Sequence, residues 1–436
     1  MLVADDPGDA GPGGPAAGRP LPAELYRRIR RAADPPVRIA MTAPRTAAFV
    51  ARSWARSRQD ATTAYPPTPP PSAGLAAQVA MDELLLAVMK SPRRYPHRAD
   101  YERVGREVLE AADLFERRGW VADPASYHPD PPALSSPAIE ACRPFDLAWT
   151  RGIPYEHLSF ESGYEPHADE PGRQRWLDGT PNRTAHAWVL RHPGRPRPWL
   201  VCLHGFGTGS AMLDLPAFRA VRLHRDLQLN LLLPVLPCHG PRKLSRLGSD
   251  SLLSFDVLNS IHGIAQGVWD VRRLLDWVRR EGAPAVGLYG ISLGGYMAAL
   301  MAGLEDGLDC AIAGIPATDL PRLFFHHSPP HIRRRASEHH LAGEEANRIH
   351  RTVSPLALEP RVPERGRFIY AGLADRLAPP GQAQRLWLHW GRPSIHWYPG
   401  NHVGFFWTRE LGDFVDSALA ASGLAELPAV PATATA

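Results

Sequence analysis

A chain of 436 residues with 44% hydrophobic residues has material for one large α/β domain and a smaller addition. Its net charge of +4 is spread over interleaved acids and bases, which excludes the dense basic face of a nucleic-acid binder. Four widely separated cysteines, Cys142, Cys202, Cys238 and Cys310, offer neither a disulfide framework nor a zinc spacing.

Residues 1–20, rich in Gly, Ala, Pro and Asp, are expected to be disordered and lack the basic start and apolar stretch of a signal peptide. No run approaches the roughly 18 apolar residues of a membrane span, so a cytoplasmic protein is expected. From residue 21 a basic amphipathic pattern sets Leu25, Tyr26 and Ile29 among Arg27, Arg28, Arg30 and Arg31. It reads as a helix on the folded body, with a membrane-surface or partner-binding helix as the alternative. The prolines of residues 66–71 form a stiff linker.

Two helical patterns follow. Residues 75–89 are apolar nearly all round and are expected to be buried, with Asp82 and Glu83 as the exception. Residues 100–118 carry Val104, Val108, Leu109, Ala112 and Phe115 on one face and end at Gly119. Residues 21–130 are therefore expected to form a helical layer against the body that follows. The Asp82–Glu83 pair reads as helix-end acids or as partners of a neighbouring arginine, rather than as catalytic groups.

Beyond Tyr155 the texture becomes strand-like. Residues 155–164 and 184–191 alternate in polarity and are expected to pair antiparallel. Residues 199–203, 227–236, 286–291, 310–315, 368–371 and 395–398 are apolar runs of strand length, and helical patterns stand between them at 261–282, after Ser292, at 380–389 and at 408–421. This alternation predicts a mostly parallel, doubly wound α/β sheet over residues 150–425, with a flexible tail at 426–436. Residues 318–365 interrupt it. They form either a cap, with Phe324, Phe325 and Ile332 as apolar walls, or a plain surface excursion.

The segment Gly290-Ile291-Ser292-Leu293-Gly294 leaves an apolar strand and enters an alanine-rich helical pattern. That is the nucleophile elbow G-x-S-x-G, in which the flanking glycines let a strained turn expose the serine hydroxyl. A serine needs a base, and the base needs an acid to fix its tautomer. Asp375 follows one later strand and His402 the last, and loops at the carboxyl ends of strands open on one edge of such a sheet. Asp319 is the alternative acid. His239, His326, His327, His339 and His340 are the alternative bases, and their spacing fits no metal motif.

With His204-Gly205-Phe206-Gly207 after an early strand, the elbow, the Gly372–Asp375 loop and Asn401-His402 in this order, the chain resembles the α/β-hydrolase superfamily over residues 155–425. The resemblance implies Ser292 as nucleophile, His402 as general base and acid, Asp375 as orienting acid, and the N–H groups of Phe206 and Leu293 as oxyanion hole. His204 is expected to support the oxyanion loop, and His204, Gly205 and His239 to lie near substrate. No cofactor is expected: a dinucleotide loop would need glycine where Ser210 stands.

The activity expected is cleavage of a carboxylic ester through an acyl-enzyme. A peptidase or amidase, a lipid acyl hydrolase and a non-catalytic binding protein on the same fold are the alternatives. The partner expected is a small-molecule or lipid ester, with a membrane surface left open and no nucleic acid.

Overall fold

Runs that are apolar at every position need cover on both faces, and a sheet between two helical layers supplies it. The computed structural model describes residues 39–57, 65–90, 96–145, 152–244 and 252–427. The expected disorder of residues 1–20, the basic stretch up to residue 38 and the tail beyond residue 427 lie outside the described residues.

Among the described residues nine strands form one sheet. They are β1 (Ala138–Cys142), β2 (Tyr155–Glu161), β3 (Thr184–Leu190), β4 (Trp199–Leu203), β5 (Asn230–Val235), β6 (Val286–Ile291), β7 (Cys310–Gly314), β8 (Arg367–Gly372) and β9 (Ser394–Tyr398). Their spatial order is β1-β2-β3-β5-β4-β6-β7-β8-β9. The pairs from β1 to β5 are antiparallel, and those from β5 through β4 to β9 are parallel. The chain steps to one side of β4 to make β5 and to the other to make β6, so the loops after β4 and β6 meet at a topological switch point.

Helices α1 (Thr42–Ser57), α2 (Ala73–Lys90) and α3 (Arg98–Arg117) precede the sheet. The short α4 (Arg173–Leu177) comes before β3, α5 (Ala211–Ala217) follows β4, α6 (Val257–Arg280) follows β5 and α7 (Leu293–Leu304) follows β6. The β7–β8 connection holds α8 (Leu320–His327), α9 (Pro330–Glu338) and α10 (Glu344–Arg351). Finally α11 (Gly381–His389) follows β8 and α12 (Arg409–Ala421) follows β9. None of the described helices is long and apolar enough to cross a membrane.

Every residue of β4, β5, β6 and β7 is buried. Successive side chains leave a strand on opposite faces. Accordingly Val201, Leu203 and Leu288 join Ile264, Val268 and Leu300 in one core, while Leu200, Cys202, Tyr289 and Ile291 join Phe218, Leu411 and Val415 in the other. The mostly parallel, doubly wound α/β sheet expected from the sequence is the one found.

Differences lie at the margins. Strand β1 was not expected: its five residues, Ala-Ile-Glu-Ala-Cys, sit on an edge and are nowhere fully buried, so they carry no strand periodicity. Leu109 of α3 was expected on the buried face and is 37% exposed, while Val104, Val108, Ala112 and Phe115 enter the core. Helix α2 is buried as expected at Leu75, Val79, Leu86 and Ala87, but not all round. Asp82 and Glu83 are buried at 0% and 3% exposure, whereas Met81, Leu84 and Val88 are exposed at 39, 46 and 58%.

The loop after β5 is held by a buried cation. Arg242 donates to the carbonyls of Val235 (3.0 Å) and Asn182 (2.9 Å) and lies 2.8 Å from the Asp270 carboxylate of α6. Both groups are withdrawn from water, so removing one strands the other. Arg242→Ala is expected to cost about 3–5 kcal/mol of stability, read as a lowered urea midpoint with unchanged m-value. A midpoint indistinguishable from that of wild type would show that the pair holds nothing.

Candidate active site

Between β6 and α7 the chain changes direction at one residue, and Ser292 takes φ 58° and ψ −112°. For a non-glycine residue such a conformation costs roughly 1–3 kcal/mol and persists only where the surroundings impose it. Here the Ser292 N–H donates to Gly314 O at 2.8 Å, and the Ser292 carbonyl accepts from Tyr296 N–H at 3.0 Å. A Cβ placed on Gly290 would collide with Gly294 O, and one on Gly294 with Leu203 O. Backbones thus meet where side chains would stand, which is why the motif needs glycine at these two positions.

Two loops bring the other groups. Asp375 follows β8, His402 follows β9, and these strands are adjacent. His402 Nδ1 lies 2.7 Å from Asp375 Oδ2, and His402 Nε2 lies 3.0 Å from Ser292 Oγ. A carboxylate oxygen only accepts, so Nδ1 carries the hydrogen and leaves the Nε2 lone pair to the serine hydroxyl. Asp375 Oδ1 in turn accepts from the N–H groups of Leu377 (2.8 Å) and Ala378 (2.7 Å). Burial alone would lower the pKa of His402. The Asp375 carboxylate, through charge and hydrogen bond, and then Asp82 outweigh burial and hold it above the usual 6.5.

The alternative acid and bases lie elsewhere. Asp319 caps α8 by accepting from Arg322 N–H at 3.1 Å and faces Arg385 at 3.6 Å. His239 is fully buried, donates from Nδ1 to Pro237 O at 2.8 Å, and stands edge-on to the rings of His204 and Phe206. Burial first, and then His204, pushes the His239 pKa down to about 3, so it is neutral and packs against the loop after β4. His327 bonds Leu377 O, His339 packs on Tyr101 and His340 faces Glu345. Among the described residues no three His, Cys, Asp or Glu side chains gather as a metal would require.

The loop after β4 lies against the elbow: a Cβ on Gly205 would stand 3.6 Å from Ser292 Cβ. His204 fixes this loop from below. Its Nε2 accepts from Leu236 N–H at 3.0 Å, so Nδ1 carries the hydrogen and donates to Gly205 O at 2.8 Å. Thr208 also donates to Gly205 O, at 3.0 Å. Leu293 opens α7, where an N–H has no partner in its own helix and carries positive partial charge. Leu293 thus follows Ser292 directly at the start of α7, and Phe206 follows the glycine that packs on it.

On α2 the expected arginine partners are found for Glu83, whereas the contact of Asp82 with the backbone of the histidine loop was not expected. Asp82 Oδ2 accepts from the N–H of Arg376 at 2.8 Å and from that of His402 at 3.0 Å. Glu83 pairs with Arg376 at 3.0 Å and with Arg45 at 3.3 Å. The available signal was two adjacent acids in a helix otherwise almost wholly apolar, a composition that favours buried partners over solvent.

Residues 182–312, which contain both the loop after β4 and the elbow, match the family model described as alpha/beta hydrolase domain containing 18. Over those residues the chain is similar to an α/β-hydrolase family. The chain belongs to one family with two uncharacterized proteins of Mycobacterium tuberculosis. It is 44% identical to the one from strain CDC 1551 / Oshkosh and 43% to the one from strain H37Rv, over 402 residues that make up 91% of this chain and 94% of each relative. Solved structures are more distant. An acetyl xylan esterase from Paenibacillus sp. R4 is 16% identical at TM-score 0.48, covering 70% of this chain and 99% of that one. A Mycobacterium tuberculosis puromycin-hydrolyzing peptidase is 18% identical at TM-score 0.41, covering 57% of this chain and 39% of that one.

Because a methyl group at Gly294 would meet the backbone of Leu203 and His204, which cannot give way, Gly294→Ala is expected to cost about 3 kcal/mol or more, or to prevent folding. Gly74→Ala in α2 is the control, since its Cβ would meet nothing nearer than Ser72 Oγ at 3.7 Å. Thermal melts in which the two variants fall equally would contradict the close-approach account.

Proposed function

We propose that this α/β-hydrolase is a serine hydrolase that cleaves a carboxylic ester through an acyl-enzyme. The observation that carries this reading is the continuous chain Ser292 Oγ, His402 Nε2, His402 Nδ1, Asp375 Oδ2, with steps of 3.0 and 2.7 Å across its two hydrogen bonds, on an elbow held in a strained turn.

In this reading Ser292 Oγ attacks the acyl carbon while His402 Nε2 takes its proton. The oxyanion that forms is met by the N–H groups of Phe206 and Leu293, at the loop after β4 and the start of α7. Collapse expels the alcohol, which receives the proton from His402. Water then attacks the acyl-enzyme, giving its proton to His402, and the Ser292 oxygen leaves and recovers that proton. Asp375 holds one tautomer throughout and stabilises the transient imidazolium. The proposed partner is a small-molecule or lipid ester.

Labelling of the purified chain with a fluorophosphonate tests this directly. One adduct by intact mass on wild type, none on Ser292→Ala and a rate at least about 10³-fold slower on His402→Ala are expected. A correctly folded wild type that takes no label sinks the proposal. Parallel turnover of p-nitrophenyl esters and p-nitroanilides separates an esterase from an amidase.

The pH dependence has a definite sign. Protonated His402 cannot accept the serine proton, and its pKa is held above 6.5. The labelling rate is therefore expected to fall as pH drops, with a midpoint above 6.5. A midpoint below that value would contradict the electrostatics of the site.

A further inference from the structure

Where the β8–β9 ladder ends, the two loops continue toward the site with backbone donors that no longer find a strand partner. The last bonds between these segments run from Leu373 N–H to Tyr398 O and from Ala374 N–H to Gly400 O, both at 2.9 Å. One residue past Asp375, the N–H of Arg376 turns to Asp82 Oδ2, and so does the N–H of His402 itself. A single carboxylate oxygen, nearly 300 residues upstream of one donor and 320 upstream of the other, takes the place of the missing strand.

The neighbouring turns of α2 reinforce this contact. Gln78 Oε1 accepts from Asn401 N–H at 3.3 Å, and the Gln78 carbonyl accepts from Asn401 Nδ2 at 3.1 Å. Leu75 and Val79 pack on Ala374, with Phe49 of α1 beside them. Residues 374, 376, 401 and 402 are thus all gripped by one helix face.

We propose that Asp82 is a positioning residue of the hydrolase site, tying the acid loop to the histidine loop through one carboxylate oxygen and so setting where His402 stands relative to Ser292. This rests on the serine-hydrolase reading above. A neutral or apolar side chain would pack in the same space at less cost, because Asp82 is fully buried and its Oδ1 has no hydrogen-bond partner among the described residues. Burial first, and then the charge of Asp375, pushes the Asp82 carboxyl up to about 7, against the pull of the two N–H bonds. What the carboxylate supplies in return is two charge-assisted bonds to backbone that carries the reacting group.

The charged and titratable groups around Asp82 and His402 are Asp375, Arg376 and Tyr398 from the sheet side, Glu83 on α2 itself, and Arg45 of α1 paired to Glu83. In that setting a negative Asp82 favours the His402 imidazolium.

The test compares the full chain with Asp82→Ala and Asp82→Asn, using fluorophosphonate labelling, p-nitrophenyl acetate kinetics and hydrogen exchange of peptides spanning residues 372–378 and 399–404. Asp82→Ala is expected to slow labelling and kcat by about 10–100-fold, as a shift of the order of 1 Å would, with KM within about twofold and faster exchange in both peptides. Asp82→Asn keeps an acceptor oxygen without the charge, so its exchange stays near wild type while the pH midpoint moves down. Wild-type rates and pH midpoint in both variants, well below their melting temperatures, overturn the proposal even if stability has dropped. A wild type that takes no label overturns the hydrolase reading instead. The exchange comparison then still decides whether Asp82 ties the loops.

Discussion

At the end of β6 three stretches of backbone pass so closely that no side chain fits between them. The glycines at 290 and 294 are the condition for that approach, and the inverted φ of Ser292 is its result. Everything else in the site is arranged around the point so created. The loop after β4 presses its own glycine, Gly205, against the serine, and the strands beyond β7 deliver an acid and a histidine to the same edge. The strain at Ser292 is carried by a sheet whose central strands are buried on both faces, so it is distributed over a rigid support and not stored in a mobile loop.

Electrostatics follow from the same burial. Asp375 spends one oxygen on His402 and the other on two backbone N–H groups, so its orientation is fixed before any proton moves. His402 is held protonatable above the usual range by the carboxylates that face it. His239, buried beside His204, is pushed the other way. Two histidines a loop apart are thereby given opposite tendencies by their neighbours alone.

Most of the sheet and the placement of Ser292, Asp375 and His402 could be read from the sequence, because both rest on local signals. Unbroken apolar runs gave the central strands, and each of the three residues sits just past the end of such a run. What escaped was whatever depends on contacts distant in sequence. The edge strand β1 has no burial pattern to betray it. Helix α2 misled because apolar composition was taken as burial on every side, when the face turned inward is the one bearing Asp82 and Glu83 and the outward face keeps Met81, Leu84 and Val88. Their partners Arg376 and His402 stand 294 and 320 residues from Asp82, and no local spacing encodes that pairing.

That separation has a temporal side. Helix α2 leaves the ribosome long before the two loops it grips, and at about 5–20 residues per second the interval over 320 residues is roughly 15 to 65 s. During it Asp82 has neither of the N–H groups it accepts from, while Glu83 and the flank of Leu75 and Val79 have only Arg45 and Phe49 of α1 beside them. The serine elbow is complete well before His402 is made. A chain stopped short of β9 therefore lacks the histidine whose Nε2 stands 3.0 Å from the Ser292 hydroxyl.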